Sequence, residues 1–296
     1  MVDEVSENSE MLDHSFSVNS SSQIITERLM FESTKKAGEI DFESFEQLNE
    51  YMNAMKDEPF TPETDEEKAQ ILAYDAYETD DLEKRASLAE EALALDPNSI
   101  DARLVKSTFV SSPLKKENLL LKAINIGLRS LDLKSDELWM NINARPFLRA
   151  QEALAEHFVE IGEKEKAITL YEELLQYNVN DNQGVRFVLF RLYIEENKLN
   201  EADELLAEFP GKTADWKFSE VLLLLKRNVS EEFFSDKLFD AHLTNSYFIS
   251  VLVGEIELPD RLPERYTPGS LEEAIIYGYR NKHLWQDYLE ILNIFM

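Results

Sequence analysis

The sequence predicts an all-α protein, a tetratricopeptide-like helical-repeat solenoid behind a disordered acidic N-terminal tail. Three observations point there. Apolar residues recur at three- and four-residue steps through most of the chain, the period of helices that bury one face. Glycine and proline are scarce, 8 and 9 in 296 residues, too few for the many turns of a large β protein. And two helical segments repeat. Ala167, closing Gly162-Glu163-Lys164-Glu165-Lys166-Ala167, and Ala202, closing Asn197-Lys198-Leu199-Asn200-Glu201-Ala202, lie 35 residues apart. A tetratricopeptide unit spans about 34. A small residue at that point lets two antiparallel helices approach closely, and stacked pairs bury the apolar face that one pair cannot.

In chain order, the first segment is polar, acidic and serine-rich (Ser15, Ser17, Ser20, Ser21, Ser22) without a sustained apolar period, so residues 1–40 read as a flexible tail and 41–296 as the repeat region. Phe42, Phe45, Leu48, Met52 and Met55 predict an amphipathic helix, which Pro59 and Pro62 end. Thr64 with Glu67 is a capping box opening the next helix. Leu82 to Leu95 is helical and stops at Asp96-Pro97-Asn98, since proline cannot continue the hydrogen-bond ladder. Ser99 to Val110 follows, and Pro113 opens a helix to Leu131. The pattern weakens over 132–143, which reads as a loop or a short helix.

Pro146 opens a helix that Gly162 closes in left-handed conformation. Helices are then expected at Glu163–Tyr177, Asp181–Glu196, Leu199–Phe209, Thr213–Lys226, Glu231–Thr244 and, as two, Leu271–Ile294. The units at 146–210 are the clearest, and 270–296 should cap the stack. Glu257 to Gly269, with Pro259, Pro263 and Pro268, reads as an extended connector. The tally is about 12 to 14 helices. Val221–Leu225 and Tyr247–Leu252 read as core. The apolar end (Trp285, Leu289, Ile291, Leu292, Ile294, Phe295) either folds back on the stack or docks a partner or second copy.

Composition excludes several functions. The net charge is −29, and residues 1–80 hold 21 Asp/Glu against 5 Lys/Arg, a net of −16. Binding nucleic acid through its phosphates, or an anionic membrane, needs the opposite sign. Basic partners fit. There is no cysteine, which removes disulfides, thiol nucleophiles and zinc-finger sites. No apolar run reaches the ~20 residues of a membrane helix, and Met1–Glu10 is acidic where a secretion signal would be basic and then apolar. The reading is a cytoplasmic protein. His14, His157, His242 and His283 are dispersed with no metal-ligand spacing, and His157 reads as packed in its helix. No phosphate-cradling or hydrolase motif occurs, so no catalytic, cofactor or metal residue is expected.

Arg145, Arg149, Asn182, Gln183 and Arg186 form the best polar constellation. Arg149 and Arg186 would start successive first helices, which stacking brings side by side on a concave face, where two arginines could fork a carboxylate. The alternative is structural: the groups cap helix ends and pair with nearby acids such as Glu152 or Asp181. Arg145-Pro146-Phe147-Leu148-Arg149-Ala150, Asn180-Asp181-Asn182-Gln183-Gly184-Val185-Arg186 and Tyr266-Thr267-Pro268-Gly269-Ser270 with Glu272-Glu273-Ala274-Ile275 are similar to a group of bacterial tetratricopeptide-like proteins related to the suppressor-of-tumorigenicity seven family. The resemblance spans roughly 82–290. Two features depart from it. The membrane segments of animal members are missing, and Thr244-Asn245-Ser246-Tyr247-Phe248 replaces a usual Asn-Pro-His-Val-Pro. The resemblance implies the solenoid fold and brings little biochemistry.

The expected function is a non-enzymatic adaptor holding a protein or peptide partner, basic or with a free carboxylate, in the concave groove. The alternative is an acidic regulator that occupies a basic surface of its partner, including as a nucleic-acid mimic.

Overall fold

The computed structural model describes residues 17–38, 44, 47, 50, 51, 53, 54, 58–133, 138–263 and 265–295, with side chains from residue 23 onward. The expected tail over 1–16 and the helix expected over 42–55 fall wholly or largely outside these. Among the described residues every regular element is a helix. The chain divides into two compact units, 19–183 and 184–296, taken in turn.

The first unit contains α1 (Ser17–Ala37), α2 (Asp65–Glu78), α3 (Leu82–Leu95), α4 (Ile100–Thr108), α5 (Pro113–Ser130), α6 (Arg145–Glu160) and α7 (Lys164–Tyr177), with 3-10 turns at Leu138–Met140 and Ile142–Ala144. Each helix from α2 on packs against the next, and α4 also touches α2 and α6. The boundaries follow from local chemistry. Thr64 and Glu67 form both bonds of the capping box. Asp81 accepts from the amides of Glu83 and Lys84. Gly162 ends α6 at φ 80°, letting the Glu163 amide reach the Phe158 carbonyl. The helices meet over small side chains: Ala69, Ala73, Ala76, Ala89, Ala92 and Ala102 are all buried. Gly127 serves the same end between α5 and α6, because a Cβ there would strike the Phe147 ring.

The N-terminal segment corrects the sequence reading. Residues 17–37, assigned to a flexible tail, form α1. Ile24, Glu27 and Phe31 recur every three or four residues and are buried. Phe31 meets Phe60 and Tyr74 edge-on at 6.1 and 5.8 Å. Burial of such apolar side chains contributes roughly 1.5–3 kcal/mol each. Arg28 adds pairs to Asp75 and Glu78 on α2 at 2.8 and 3.0 Å.

The second unit contains α8 (Val185–Glu195), α9 (Leu199–Glu208), α10 (Ala214–Lys226), α11 (Glu231–Thr244), α12 (Tyr247–Val253), α13 (Leu271–Asn281), a 3-10 segment Lys282–Tyr288 and α14 (Leu289–Ile294). The turn after α6 recurs here. Asn197 at φ 55° and Asn228 at φ 54° each take the left-handed position of Gly162. The amides of Lys198 and Val229 then close onto the carbonyls of Tyr193 and Leu224. The alanines 35 residues apart, Ala167 and Ala202, are both fully buried in their helices. This is adjacent helix pairing compatible with a helical repeat.

Helix α8 begins four residues later than the sequence suggests, since Asp181 (φ 47°) and Gly184 (φ 75°) hold 178–184 as a turn. The apolar patch expected at 247–252 is helix α12. Its Phe248 stacks on Tyr277 at 4.5 Å and sits 4.8 Å from Phe218. Trp285 packs edge-on to Phe218, and its Nε1–H donates to the Tyr277 hydroxyl at 3.0 Å. The apolar C-terminal segment therefore folds back, with Leu284, Trp285 and Leu292 buried. Glu257 to Gly269 carries no helix in its described residues. Its end is anchored by Asn245, whose Nδ2–H donates to the Ser270 carbonyl and to Glu273 Oε2, both at 2.8 Å.

Candidate functional site

The polar constellation resolves into two structural groups, one in each unit. In the first unit Arg149, on α6, is enclosed. Its Nη1 and Nη2 donate to Glu27 of α1 at 2.7 and 2.8 Å. Its Nε and Nη2 donate to Asp101 of α4 at 3.1, 2.9 and 2.8 Å. Both acids are almost wholly buried. Gln70 and Tyr77 complete the shell of Asp101, and the Tyr74 hydroxyl reaches Glu27 at 3.4 Å. Burial, with the two carboxylates beside them, raises the Tyr74 and Tyr77 phenols well above their ordinary range, so both stay protonated donors. The guanidinium fork expected to hold a partner's carboxylate is filled by two of the chain's own.

Arg145 flanks this centre. It lies 4.8 Å over the Trp139 ring, donates to the Trp139 carbonyl at 3.1 Å and approaches Glu27 to 3.8 Å. Asn182 and Gln183 build the turn before α8. Asn182 donates through its backbone N–H and Nδ2 to Asn178 Oδ1 at 3.3 and 2.7 Å. Gln183 Nε2 donates to Glu152 at 2.6 Å. Desolvation, reinforced by the Asp181 charge and opposed by that hydrogen bond, pushes the Glu152 carboxyl up to about 7.

In the second unit Arg186 lies over Phe187, Phe209 and Trp216, at 4.7, 5.6 and 5.5 Å from the ring centroids. A cleft of about 360 Å³ adjoins Trp216. Its rim charges are internally matched: Asp203 with Arg227, Lys217 with Asp240, and Glu220 with Lys237, at 2.8, 2.8 and 2.5 Å. Asp215, at the start of α10, is pushed up to about 6 by burial despite the nearby Arg280 and Arg191 charges. His157 is packed, its Nδ1 3.7 Å from Glu160. No group of three or more His, Cys, Asp or Glu among the described residues could hold a metal ion.

The sequence reading missed a surface on α11. Phe234, Leu238 and Ala241 bury the inner face. Phe233, Phe239 and Leu243 stand outward, 67%, 57% and 68% exposed, with Tyr247 just beyond. The exposed carboxylates Glu231, Glu232, Asp236 and Asp240 surround them. The signal was present. A 14-residue helix with Phe233, Phe234, Leu238, Phe239 and Leu243 carries more bulk than one face can bury. Phe239 and Leu243, four residues apart, share one outward face, and Phe233 stands about a third of a turn away with Asp236 and Asp240 between; exposed apolar bulk interleaved with carboxylates is a candidate interaction surface.

No family model matches the chain, and no curated protein is similar to it in sequence.

Proposed function

We propose that the chain is a non-enzymatic interaction adaptor, a tetratricopeptide-like repeat protein of the cytoplasm akin to the bacterial group it resembles, and that it takes a basic, amphipathic segment of a partner protein on α11. The carrying observation is the exposed Phe233, Phe239 and Leu243 among the carboxylates of Glu231, Glu232 and Asp236, with Asp240 already matched by Lys217. Burying each of these side chains would contribute on the order of 1.5–3 kcal/mol, while the acids select the sign of the partner and speed its encounter. A concave arginine groove is a weaker form of this reading, because Arg149 is engaged by Glu27 and Asp101. Within it Arg186, and not Arg149, is the residue to reverse in a binding test.

A short Leu/Lys amphipathic helical peptide, labelled for fluorescence anisotropy, tests the proposal on the full chain. It should bind the parent protein, and Phe239→Asp with Leu243→Asp should remove binding while the melting curve stays put. Equal binding to parent and variant would overturn the assignment. The alternative reading, an acidic regulator seated on a basic surface, is favoured by the net charge of −29. It differs in salt dependence: charge-led binding should fall steeply with ionic strength, apolar docking only weakly. A tail-deletion test of that alternative must stop at residue 16, because Ile24, Glu27 and Phe31 belong to the fold.

A further inference from the structure

The outward face of α5 carries a second surface of opposite polarity. Leu120, Ala123, Ile124 and Gly127 turn inward. On the adjoining flank, about a third of a turn round the helix, stand Leu114, Leu121 and Leu128, seven residues apart and 69%, 38% and 45% exposed. Asn118 and Asn125, also exposed, fall between them, so the five positions alternate in steps of four and three. That is the seam of a two-helix coiled coil, with leucine at d and asparagine at a. A single exposed leucine is ordinary, but three on one heptad line form an unpartnered helix face. Each asparagine donates its Nδ2–H to the carbonyl four residues back, at 2.8 Å, which leaves its Oδ1 to face an incoming helix.

Beside the seam, again at sevenfold spacing, Lys115, Lys122 and Arg129 occupy the e positions, all exposed. Among the described residues none of the three is in an ion pair, whereas their neighbours Lys106 and Lys116 are matched by Glu90 and Glu160 at 2.6 and 2.7 Å. A cleft of about 300 Å³ runs alongside, lined by Lys106, Val110, Lys115, Asn118, Leu119 and Lys122. Residues 100–130 hold six Lys/Arg against two Asp/Glu in a chain of net charge −29, and one of the two acids, Asp101, is sealed under Arg149.

We propose that this face of α5 docks an amphipathic helix of a partner protein, a helix with an apolar heptad seam and carboxylates along its flank. Charges at e and g decide which helices pair and in which direction. A second copy of this chain fits poorly. Antiparallel self-pairing would set Lys115, Lys122 and Arg129 against their own counterparts. Parallel self-pairing would offer Glu117 to Lys122, but the next g position is Ile124, committed to the chain's own core. This surface is independent of α11 and selects the opposite charge, so a chain bearing both could bridge two partners of unlike sign.

The test uses the full chain and two synthetic heptad peptides with identical leucine seams, one with glutamate and one with lysine on the flank. The glutamate peptide should bind. Lys115→Glu with Lys122→Glu and Arg129→Glu should weaken it by about tenfold or more, and the reversed protein should gain affinity for the lysine peptide. Leu121→Asp should abolish both. All these side chains are exposed, so circular dichroism and melting should stay unchanged. Binding of neither peptide, equal binding of both, or indifference to the charge reversal would overturn the proposal. So would a stable dimer in sedimentation that Leu121→Asp splits, which would assign the seam to a second copy.

Discussion

Replacing Arg149 with methionine keeps an unbranched apolar stem and removes the guanidinium with its charge and donors. It would leave Glu27 and Asp101, whose side chains are 3% and 0% exposed, facing each other without a cation. Breaking a buried pair by deleting one partner costs about 3–5 kcal/mol, most of it from the stranded charge. Two features place this case near the lower end. Asp101 keeps donors in Gln70 at 2.8 Å and the Tyr77 hydroxyl at 3.3 Å, and Glu27 keeps Arg145 at 3.8 Å. A loss of about 3 kcal/mol is a large share of a domain's stability of about 5–15 kcal/mol. The chain forms two units, so a single global unfolding curve is the wrong reader. Urea titration should be followed by amide hydrogen exchange resolved by segment. Protection should fall first in α1, whose Glu27 is its deepest polar anchor, then in α2, α4 and α6, with 184–296 unaffected. Adding Glu27→Gln and Asp101→Asn should recover part of the loss, because neutral amides strand no charge. A variant within about 0.5 kcal/mol of the parent, or uniform loss of protection along the chain, would refute the reasoning.

Three further outcomes are expected. Gly127→Ala, though it raises helix propensity, should destabilise the first unit by about 1–3 kcal/mol, because the new methyl displaces Phe147; a melt at or above the parent's would contradict this. Glu152 binds its proton more tightly folded than unfolded, so its contribution is most favourable below about pH 4.5 and declines, by up to about 3 kcal/mol, as pH rises to about 7. Glu152→Gln should flatten urea midpoints across that window, and an unchanged slope would assign the pH dependence elsewhere. Asn245→Ala should remove one donor each from the Ser270 carbonyl and Glu273, which keep the Ala274 and Gly269 amides, costing roughly 1 kcal/mol and raising protease cleavage within Glu257–Gly269; unaltered cleavage would detach the connector from Asn245.

Features that rest on neighbours within a turn or two are legible in the residues alone. The Thr64–Glu67 capping box, the stop at Asp96-Pro97-Asn98, the proline entry to α5 and the left-handed Gly162 are all local, and the helix limits there follow them to within a residue or two. The small residues at 167 and 202 likewise state that a close helix neighbour exists without saying which. Tertiary structure decided the rest. Helix α1 has a buried stripe of Ile24, Glu27 and Phe31, and the glutamate makes it look like a polar tail; its burial is intelligible only with Arg149, 122 residues away. Helix α12 is a continuous apolar run, which periodicity cannot tell from a strand or a loop anchor.

The surfaces were hidden for the converse reason. Leu114, Leu121 and Leu128 recur at heptad spacing and would pass for core in the sequence. They stand exposed because Gly127, about a third of a turn round the same helix, is the residue that admits Phe147 and so fixes which face is covered. An amphipathic pattern tells which residues share a face. Which face is covered depends on where a neighbouring helix can come closest, and that is fixed by contacts distant in the chain.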